Sequence, residues 1–142
     1  MTATLDPSTK GGAHALERLA NEKIGWLTTV TPDGLPQSAP IWFLWTGDEV
    51  FLYSHKAAKR NANLATNPQV SFNLNTDVEG DDVVTMEGTA RFDPTGPRYS
   101  GHPPYVAKYD AKLKGYGWEA DYFEREYPHV IRVTPTRWRG VG

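Results

Sequence analysis

A basic segment in the first half of the chain is where residue types and spacing point most clearly to chemistry. Residues 50–76 contain no acidic side chain. Within them, Lys56, Lys59 and Arg60 are spaced as i, i+3 and i+4. On a helix this spacing puts all three cations on one face. Because like charges repel at this distance, the arrangement indicates that something other than helix stability keeps them together.

The predicted helix over residues 57–66 places these cations in or beside its first turn, near the positive end of the helix dipole. Each cation is unfavourable there by roughly 0.3–1 kcal/mol. A bound anion removes the conflict, because backbone N–H groups, the Ser54 hydroxyl and the cations can all face it. The pattern therefore indicates a phosphate site that includes the Ser54 hydroxyl and these cations. A solvated basic surface is the alternative interpretation.

A second segment, which holds Ser38, Ala39, Pro40, Ile41 and Trp42, has the groups that a flat heterocycle needs. Pro40 has no N–H to give to a strand ladder, so backbone groups near it are available to a ligand. A ring compound takes polar backbone groups at its edge and an apolar wall on its face. Trp42 can supply that wall. The alternative is that this tryptophan belongs to the core or to a dimer interface.

Other kinds of site are disfavoured by the residue types present. The chain has no cysteine, which excludes disulfides and thiolate chemistry and fits a cytoplasmic protein. Its four histidines lack the spacing of metal ligands, so no metal is expected. Ser54 and His55 are adjacent and would point to opposite faces of a strand, which is poor geometry for a nucleophilic dyad.

Charge and hydropathy restrict the kinds of binding partner that we expect for this chain. The formal net charge is −2, which gives no general attraction for nucleic acid, so no nucleic-acid partner is expected. No apolar run approaches the roughly 20 residues of a membrane span, and the first residues lack the pattern of a signal peptide. We therefore expect neither membrane insertion nor export.

The length of 142 residues predicts one domain, over residues 13–142, after a flexible N-terminus at residues 1–12. Strands are predicted at residues 24–31, 35–45, 49–54, 69–75, 82–92 and 127–134, the last ended by a proline. The two prolines in 35–45 predict that part of this strand is an edge, or that the strand ladder opens there. Helices are predicted at residues 13–23, 57–66, 103–113 and 118–126. Six strands on short turns predict a mainly β protein, a small antiparallel barrel with a few short helices.

The predicted strand over residues 35–45 has two apolar faces. Ile41, Phe43 and Trp45 alternate with Trp42 and Leu44. A barrel this small hides only one face of a strand, so the outer apolar face needs a cover. A second copy of the chain is the simplest cover, which predicts a homodimer.

Several short motifs, taken in order, resemble the pyridoxamine 5′-phosphate oxidase-like superfamily. They are LTTVTPDGLP at residues 27–36, PIWF at 40–43, LYS at 52–54, KRNANL at 59–64, NPQVS at 67–71 and EGTA at 87–90. The ending IRVTPTRWRG, at residues 131–140, is similar to its deazaflavin branch, the coenzyme F420-dependent flavin/deazaflavin oxidoreductases. The resemblance covers roughly residues 15–142.

The resemblance implies a six-stranded split β-barrel of the FMN-binding type, assembled as a homodimer with a cofactor in each of two clefts at the subunit interface. It implies that the ring system lies against Ser38 to Trp42, and that Trp138 of the other subunit closes the cleft. It places the cofactor phosphate on the segment that matches Ser54, His55, Lys56, Lys59 and Arg60.

The activity implied by the resemblance is hydride transfer from reduced F420 to a small organic acceptor, which residues 97–126 would select. Such chemistry needs no protein nucleophile, because the cofactor carries the reaction. A proton would come from solvent or from a hydroxyl such as that of Tyr105 or Tyr109. FMN would satisfy the same cations, so an FMN-dependent oxidase and a non-catalytic carrier of F420, flavin or tetrapyrrole are the alternatives. Pyridoxamine phosphate oxidases proper are longer, and their substrate-phosphate residues have no match here.

Overall fold

Strands and helices follow the periodicity of the sequence closely in the computed structural model, which describes residues 2–141. Met1 and Gly142, at the ends of the predicted N-terminal segment and of the predicted domain, lie outside the described residues. The helices are α1 (Lys10–Asn21), α2 (Arg60–Thr66), α3 (Pro103–Gly115) and α4 (Ala120–Glu126), with a 3-10 turn at Tyr99–Gly101. The strands are β1 (Ile24–Val30), β2 (Pro36–Trp42), β3 (Leu44–Trp45), β4 (Val50–Ser54), β5 (Gln69–Leu74), β6 (Thr85–Phe92) and β7 (His129–Arg139).

All seven strands of the described chain form one antiparallel sheet in the order β2-β1-β5-β6-β7-β4-β3. The two outermost strands in this order, β2 and β3, are joined through the single residue Phe43. The chain at Phe43 therefore links the two edges of the sheet and curls it into a half-barrel. The predicted mainly β fold is confirmed, and so is the edge position of the proline-bearing strand. The predicted count of six strands is wrong by one, because the strand expected over residues 35–45 is divided at Phe43.

The last strand also differs from its prediction. Pro135 does not end β7, because it falls at a bulge in the pairing with β6. Glu87 is opposite Arg137, and Gly88 is opposite Pro135, so one residue of β7 is extra. At such an irregularity the missing N–H of a proline breaks no regular ladder. The Pro135 carbonyl accepts a hydrogen bond from the Ala3 N–H at 2.8 Å.

The first helix begins earlier than predicted. The Thr9 hydroxyl accepts a hydrogen bond from the Gly12 N–H at 3.0 Å, which is the geometry of an N-cap, and α1 therefore begins at Lys10. Before it, Leu5 packs against the residues inside the half-barrel. The segment ahead of the helix thus makes specific contacts with β7 and with the core.

Two apolar clusters lie on opposite faces of the sheet. Ile41 and Phe43 belong to the inner cluster, and Trp45 packs against it. Trp42 and Leu44 pack against the outer one, so the predicted alternation is confirmed. The outer cluster is completed by residues of α3 and α4, namely Tyr105, Tyr109, Leu113 and Phe123. The chain itself therefore covers the outer apolar face, so this face does not need the second copy that the sequence suggested as its simplest cover. The homodimer stays a prediction.

None of the helices within residues 2–141 is long and apolar enough to cross a membrane.

Candidate functional site

The basic segment forms a turn between β4 and α2, and this corrects the sequence prediction. The helix begins at Arg60, with Lys59 as its N-cap residue. Lys56 lies in the preceding turn. The three cations therefore do not share one helical face, and the predicted crowding of the first turn by all three is wrong.

Hydrogen bonds to His55 explain why this segment is not helical. The His55 carbonyl accepts from the Ala58 N–H at 3.0 Å and from the Asn61 side-chain amide at 2.9 Å. The imidazole Nδ1 accepts from the Ala57 N–H at 3.0 Å. These bonds occupy two of the backbone N–H groups that the sequence prediction assigned to an anion.

Lys56 is paired with a residue that sequence reasoning missed. Its ammonium donates to a Glu126 carboxylate oxygen at 2.8 Å, and its backbone N–H donates to the Glu126 carbonyl at 2.9 Å. The hydrogen bond from Lys56 lowers the pKa of the Glu126 carboxyl. His55 Nε2 lies 3.7 Å from the same carboxylate. Because Glu126 is 70 positions from Lys56 and belongs to α4, no local pattern in the sequence could have indicated the pair.

Arg60 is held by Ser54 and has no acidic partner within the described chain. The buried Ser54 hydroxyl donates to Asn61 Oδ1 at 2.7 Å and accepts from Arg60 Nη1 at 3.1 Å. Ser54 is thereby used to orient the guanidinium. Burial lowers the pKa of Arg60, because desolvation disfavours its charge. An unpaired, partly buried cation is unfavourable, so an anion placed beside it would be stabilised.

Two cavities meet at Arg60. The first, here called the Lys59 groove, has a volume of about 430 Å³. Its lining includes Leu27, Gln37, Ser38, Ala39, Lys59 and Arg60. The second, here called the aromatic cavity, has a volume of about 230 Å³. Its lining includes Pro40, Ile41, His55 and Arg60 together with five aromatic side chains, Trp42, Tyr53, Tyr105, Phe123 and Tyr127.

The two segments singled out in the sequence therefore lie together in space. Ser38 and Ala39 share the Lys59 groove with Lys59 and Arg60, and the next three residues share the aromatic cavity with His55 and Arg60. The Lys56 side chain is turned toward Glu126 instead. Ser54 contributes by holding the Arg60 guanidinium through its hydroxyl.

Trp138 is apart from the other predicted site residues within this chain. Its ring packs edge-on against Trp45 at 5.8 Å, and its Nε1 donates to the Ala3 carbonyl at 3.2 Å. Its predicted role lies in a second copy of the chain and stays a prediction.

Trp42 packs against the outer cluster and also lines the aromatic cavity. Its predicted role as a wall for a bound ring compound stays a prediction. Its ring stacks on Tyr109 with centroids 5.0 Å apart and planes 7° apart. A second stacked ring, that of Phe123, lies at 6.0 Å and 13°. These contacts fix the indole plane, and a rigid plane is a suitable wall for a flat ligand.

The tyrosine hydroxyls of this region differ in what they contact. Tyr53 donates to the Pro97 carbonyl at 2.7 Å. Tyr109 is bonded to the backbone of Phe43 and does not border either cavity. The buried Tyr105 hydroxyl has no hydrogen-bond partner among residues 2–141. Burial raises the pKa of all three hydroxyls, which opposes the proton-donor role considered for Tyr105 and Tyr109.

Residues 2–141 contain no group of three or more His, Asp or Glu side chains that could hold a metal ion.

Comparison with solved structures finds the same fold in proteins of several kinds. The chain is similar to an F420 reductase at 25% identity, with 87% of this chain and 94% of that chain covered and a TM-score of 0.58. It is similar to a FAD-binding protein from Mesorhizobium loti at 17% identity, with 97% and 93% covered and a TM-score of 0.63. It is also similar to the heme storage protein HutZ from Vibrio cholerae at 20% identity, with 95% and 92% covered and a TM-score of 0.59. The last two likenesses show the fold alone.

Comparison of sequences identifies the family. No curated protein matches the chain. The sequence model described as pyridoxamine 5′-phosphate oxidase matches residues 12–142, nearly the whole chain. The resemblance found in the short motifs is thereby confirmed for the superfamily. The chain belongs to the pyridoxamine 5′-phosphate oxidase family.

Proposed function

We propose that this protein is an oxidoreductase that binds F420 and reduces a small organic acceptor with it. The observation that carries the proposal is Arg60, a partly buried cation with no carboxylate partner in the described chain, at the junction of two cavities. A buried cation of this kind favours a ligand with a phosphate or carboxylate group. Membership of the family and likeness to an F420 reductase support the choice of a redox cofactor with such a tail.

The residues around Arg60 fit the anionic part of such a cofactor. Lys59 and Arg60 would hold the phosphate and the acidic tail. Ser54 would keep the guanidinium in place through its hydrogen bond of 3.1 Å. Lys56 contributes less, because its ammonium is already neutralised by Glu126 at 2.8 Å.

The ring system of the cofactor would lie along Ser38, Ala39 and Pro40, on the edge strand β2. An edge strand leaves backbone groups unpaired on one side, and these can bond the polar edge of a heterocycle. Ile41 and Trp42 continue the same strand into the aromatic cavity. In its reduced form, F420 supplies a hydride to the acceptor.

The aromatic cavity would exclude water from the reacting groups. Its volume of about 230 Å³ is below the ~300–1,000 Å³ of typical ligand pockets, which fits a compact acceptor. Tyr53 borders the cavity, and burial raises the pKa of its hydroxyl. Holding both reactants in place can supply a large part of the rate enhancement without a protein nucleophile.

The proposal is tested by titrating the purified protein with F420 and, separately, with FMN, while ring fluorescence is followed. We expect F420 to bind and, in its reduced form, to be oxidised by at least one member of a panel of quinones and enones. Unchanged fluorescence with both cofactors would refute the proposal. Binding without turnover would favour the carrier, and a yellow protein that retains FMN would favour the FMN-dependent oxidase.

A further inference from the structure

We propose that a third cavity, outside the candidate cofactor site, binds a small zwitterion of the α-amino-acid type with an apolar side chain. This cavity, here called the Arg98 cavity, lies between residues 96–99 and α4 and has a volume of about 470 Å³. The volume falls within the ~300–1,000 Å³ of typical ligand pockets. Because its lining includes neither Lys59 nor Arg60, the inference does not rest on the proposed function.

The wall formed by residues 96–99 is fixed by contacts with the sheet. The Pro97 carbonyl accepts a hydrogen bond from the Tyr53 hydroxyl of β4 at 2.7 Å. Gly96 lies so close to β7 that an added Cβ would be 2.8 Å from a methyl carbon of Val130. A wall that is already ordered loses little conformational entropy when a ligand binds.

The opposite wall is formed by α4, which is tied to the 3-10 turn beside it. Glu124 Oε1 accepts hydrogen bonds from the Ser100 N–H at 2.9 Å and from the Ser100 hydroxyl at 2.5 Å. These bonds lower the pKa of the Glu124 carboxyl, and the charge of Arg98 lowers it further. The Arg98 guanidinium therefore lies near enough to this carboxylate to interact with it, and both residues line the cavity.

Three charged residues that line the Arg98 cavity have no ion-pair partner within residues 2–141. They are Arg98, Asp121 and Arg125. Asp121 and Arg125 are spaced i, i+4 on α4, a spacing that allows an ion pair. On α3 the same spacing gives an ion pair of 2.8 Å between Asp110 and Lys114. The charges of Asp121 and Arg125 are therefore both left available to a ligand.

Two guanidinium groups and an unpaired carboxylate around one cavity are complementary to a ligand that carries both charges. A ligand carboxylate forms charge-assisted hydrogen bonds with Arg98 and Arg125, and a ligand ammonium does so with Asp121. A simple anion is less suitable, because Asp121 and Glu124 would repel it. The rest of the lining favours an apolar side chain on the ligand, since it includes Pro97, Tyr99, Pro128 and Val130.

The test measures binding of L-phenylalanine to the cofactor-free protein by equilibrium dialysis. Two analogues each lack one charge, namely 3-phenylpropionate without the ammonium and 2-phenylethylamine without the carboxylate. The variants are Arg98→Gln/Arg125→Gln and Asp121→Asn. Arg137→Gln is the matched control, because Arg137 is also an exposed arginine without an ion pair in the described chain but does not line this cavity.

We expect the wild-type protein to bind L-phenylalanine about threefold to tenfold more strongly than either analogue. Both variants should bind L-phenylalanine more weakly by a similar factor, and Arg137→Gln should bind it as the wild type does. The double arginine variant should leave binding of 2-phenylethylamine unchanged or stronger, and Asp121→Asn should do the same for 3-phenylpropionate. All variants should unfold at the wild-type temperature, because the replaced side chains are exposed and have no ion pair in the described chain.

Three outcomes would overturn the inference. They are failure of the wild type to bind L-phenylalanine at millimolar concentration, equal binding of the three ligands, and unchanged binding of L-phenylalanine by the double arginine variant.

A competition experiment separates this inference from the proposed function. The Arg98 cavity shares Tyr53 and Tyr127 with the aromatic cavity, so the dialysis is repeated with saturating F420 and with FMN. We expect L-phenylalanine to bind in their presence. Its displacement by either cofactor would overturn the inference, because the Arg98 cavity would then belong to the cofactor site. A protein that binds L-phenylalanine through Arg98 and Arg125 but binds neither cofactor keeps this inference and removes the proposed function.

Discussion

At Phe43, the Tyr109 hydroxyl makes the backbone contacts that a neighbouring strand would otherwise make. It accepts a hydrogen bond from the Phe43 N–H at 2.8 Å and lies 2.6 Å from the Phe43 carbonyl oxygen. Phe43 is the residue at which the chain passes from β2 to β3, that is, from one edge of the sheet to the other. A side chain of α3 therefore satisfies the backbone at the point where the half-barrel is closed.

Tyr109→Phe should lower the free energy of unfolding by roughly 1–3 kcal/mol, because it leaves the buried Phe43 N–H without an acceptor. Urea denaturation of the purified variant measures this. Tyr105→Phe is the matched control, since it removes a hydroxyl one helical turn earlier that has no partner in the described chain. Equal stability of the two variants would contradict the role given to Tyr109.

The periodicity of the sequence was sufficient to predict the sheet but not how it closes. Alternation identified both faces of residues 41–45, because the side-chain period of a strand is a local property. The division at Phe43 depends on Tyr109, 66 positions later, and so does not appear in any local pattern. Helices within residues 97–126 could be predicted because their signals are local. Their position over the outer face of the sheet could not, because it depends on contacts with strands that are distant in the sequence.

In the candidate site, too, the sequence indicated the features that are local and missed the contacts that join distant elements. The segments around Ser38 and Arg60 were identified from proline placement and charge spacing, which are local features. The turn at His55 was missed because the side chain of Asn61 competes with the helix for the His55 carbonyl. The pairing of Lys56 with Glu126 was missed because it joins distant elements.

Lys59→Ala and Arg60→Ala should each weaken F420 binding by roughly 1–3 kcal/mol for each charged hydrogen bond lost. Lys56→Ala is the matched control and should change the affinity little, because Glu126 already neutralises this ammonium. Fluorescence titration gives the three dissociation constants. If Lys56→Ala is the most damaging of the three, the anion lies on the turn before α2 and not at Arg60.

Glu126→Gln should strengthen F420 binding by about twofold to fivefold, since it releases Lys56 for the anionic tail at the expense of an exposed ion pair. The double variant Lys56→Ala/Glu126→Gln should lose this gain, because the released cation is then absent. Titration of both variants in low salt measures the effect. A gain that survives in the double variant would show that Glu126 acts on the ligand without Lys56.

We propose that the protein is a homodimer in solution, as the resemblance to the deazaflavin branch implies. Size-exclusion chromatography with light scattering should give twice the chain mass of 15.8 kDa. Since α3 and α4 cover the outer apolar cluster, the dimer should persist when residues of that cluster are substituted conservatively, for example in Tyr99→Phe. A mass of one chain at micromolar concentration would remove both the dimer and the role of Trp138 across its interface.

Lys108 should make the stability of the protein depend on pH in the mildly alkaline range. Its ammonium donates to the Phe43 carbonyl at 2.9 Å and lies 4.0 Å from the centre of the Phe43 ring. Burial, with added repulsion from Lys23, lowers its pKa from 10.5 to about 8. Between these values the unfolded chain binds more protons at this lysine than the folded chain does. The contribution of Lys108 to the free energy of unfolding therefore rises as pH increases through this window.

The measurement is urea denaturation of the wild type and of Lys108→Met at several values between about pH 7.5 and pH 10. The wild type should gain stability relative to the variant as pH increases. Comparison with the variant is needed because the buried tyrosines act in the opposite direction. Burial raises the pKa of Tyr99 to about 12, so deprotonation of tyrosines above about pH 10 favours the unfolded chain in both proteins. Parallel pH profiles of the two proteins would show that Lys108 titrates normally, and the ammonium would then have to reach solvent rather than stay against Phe43.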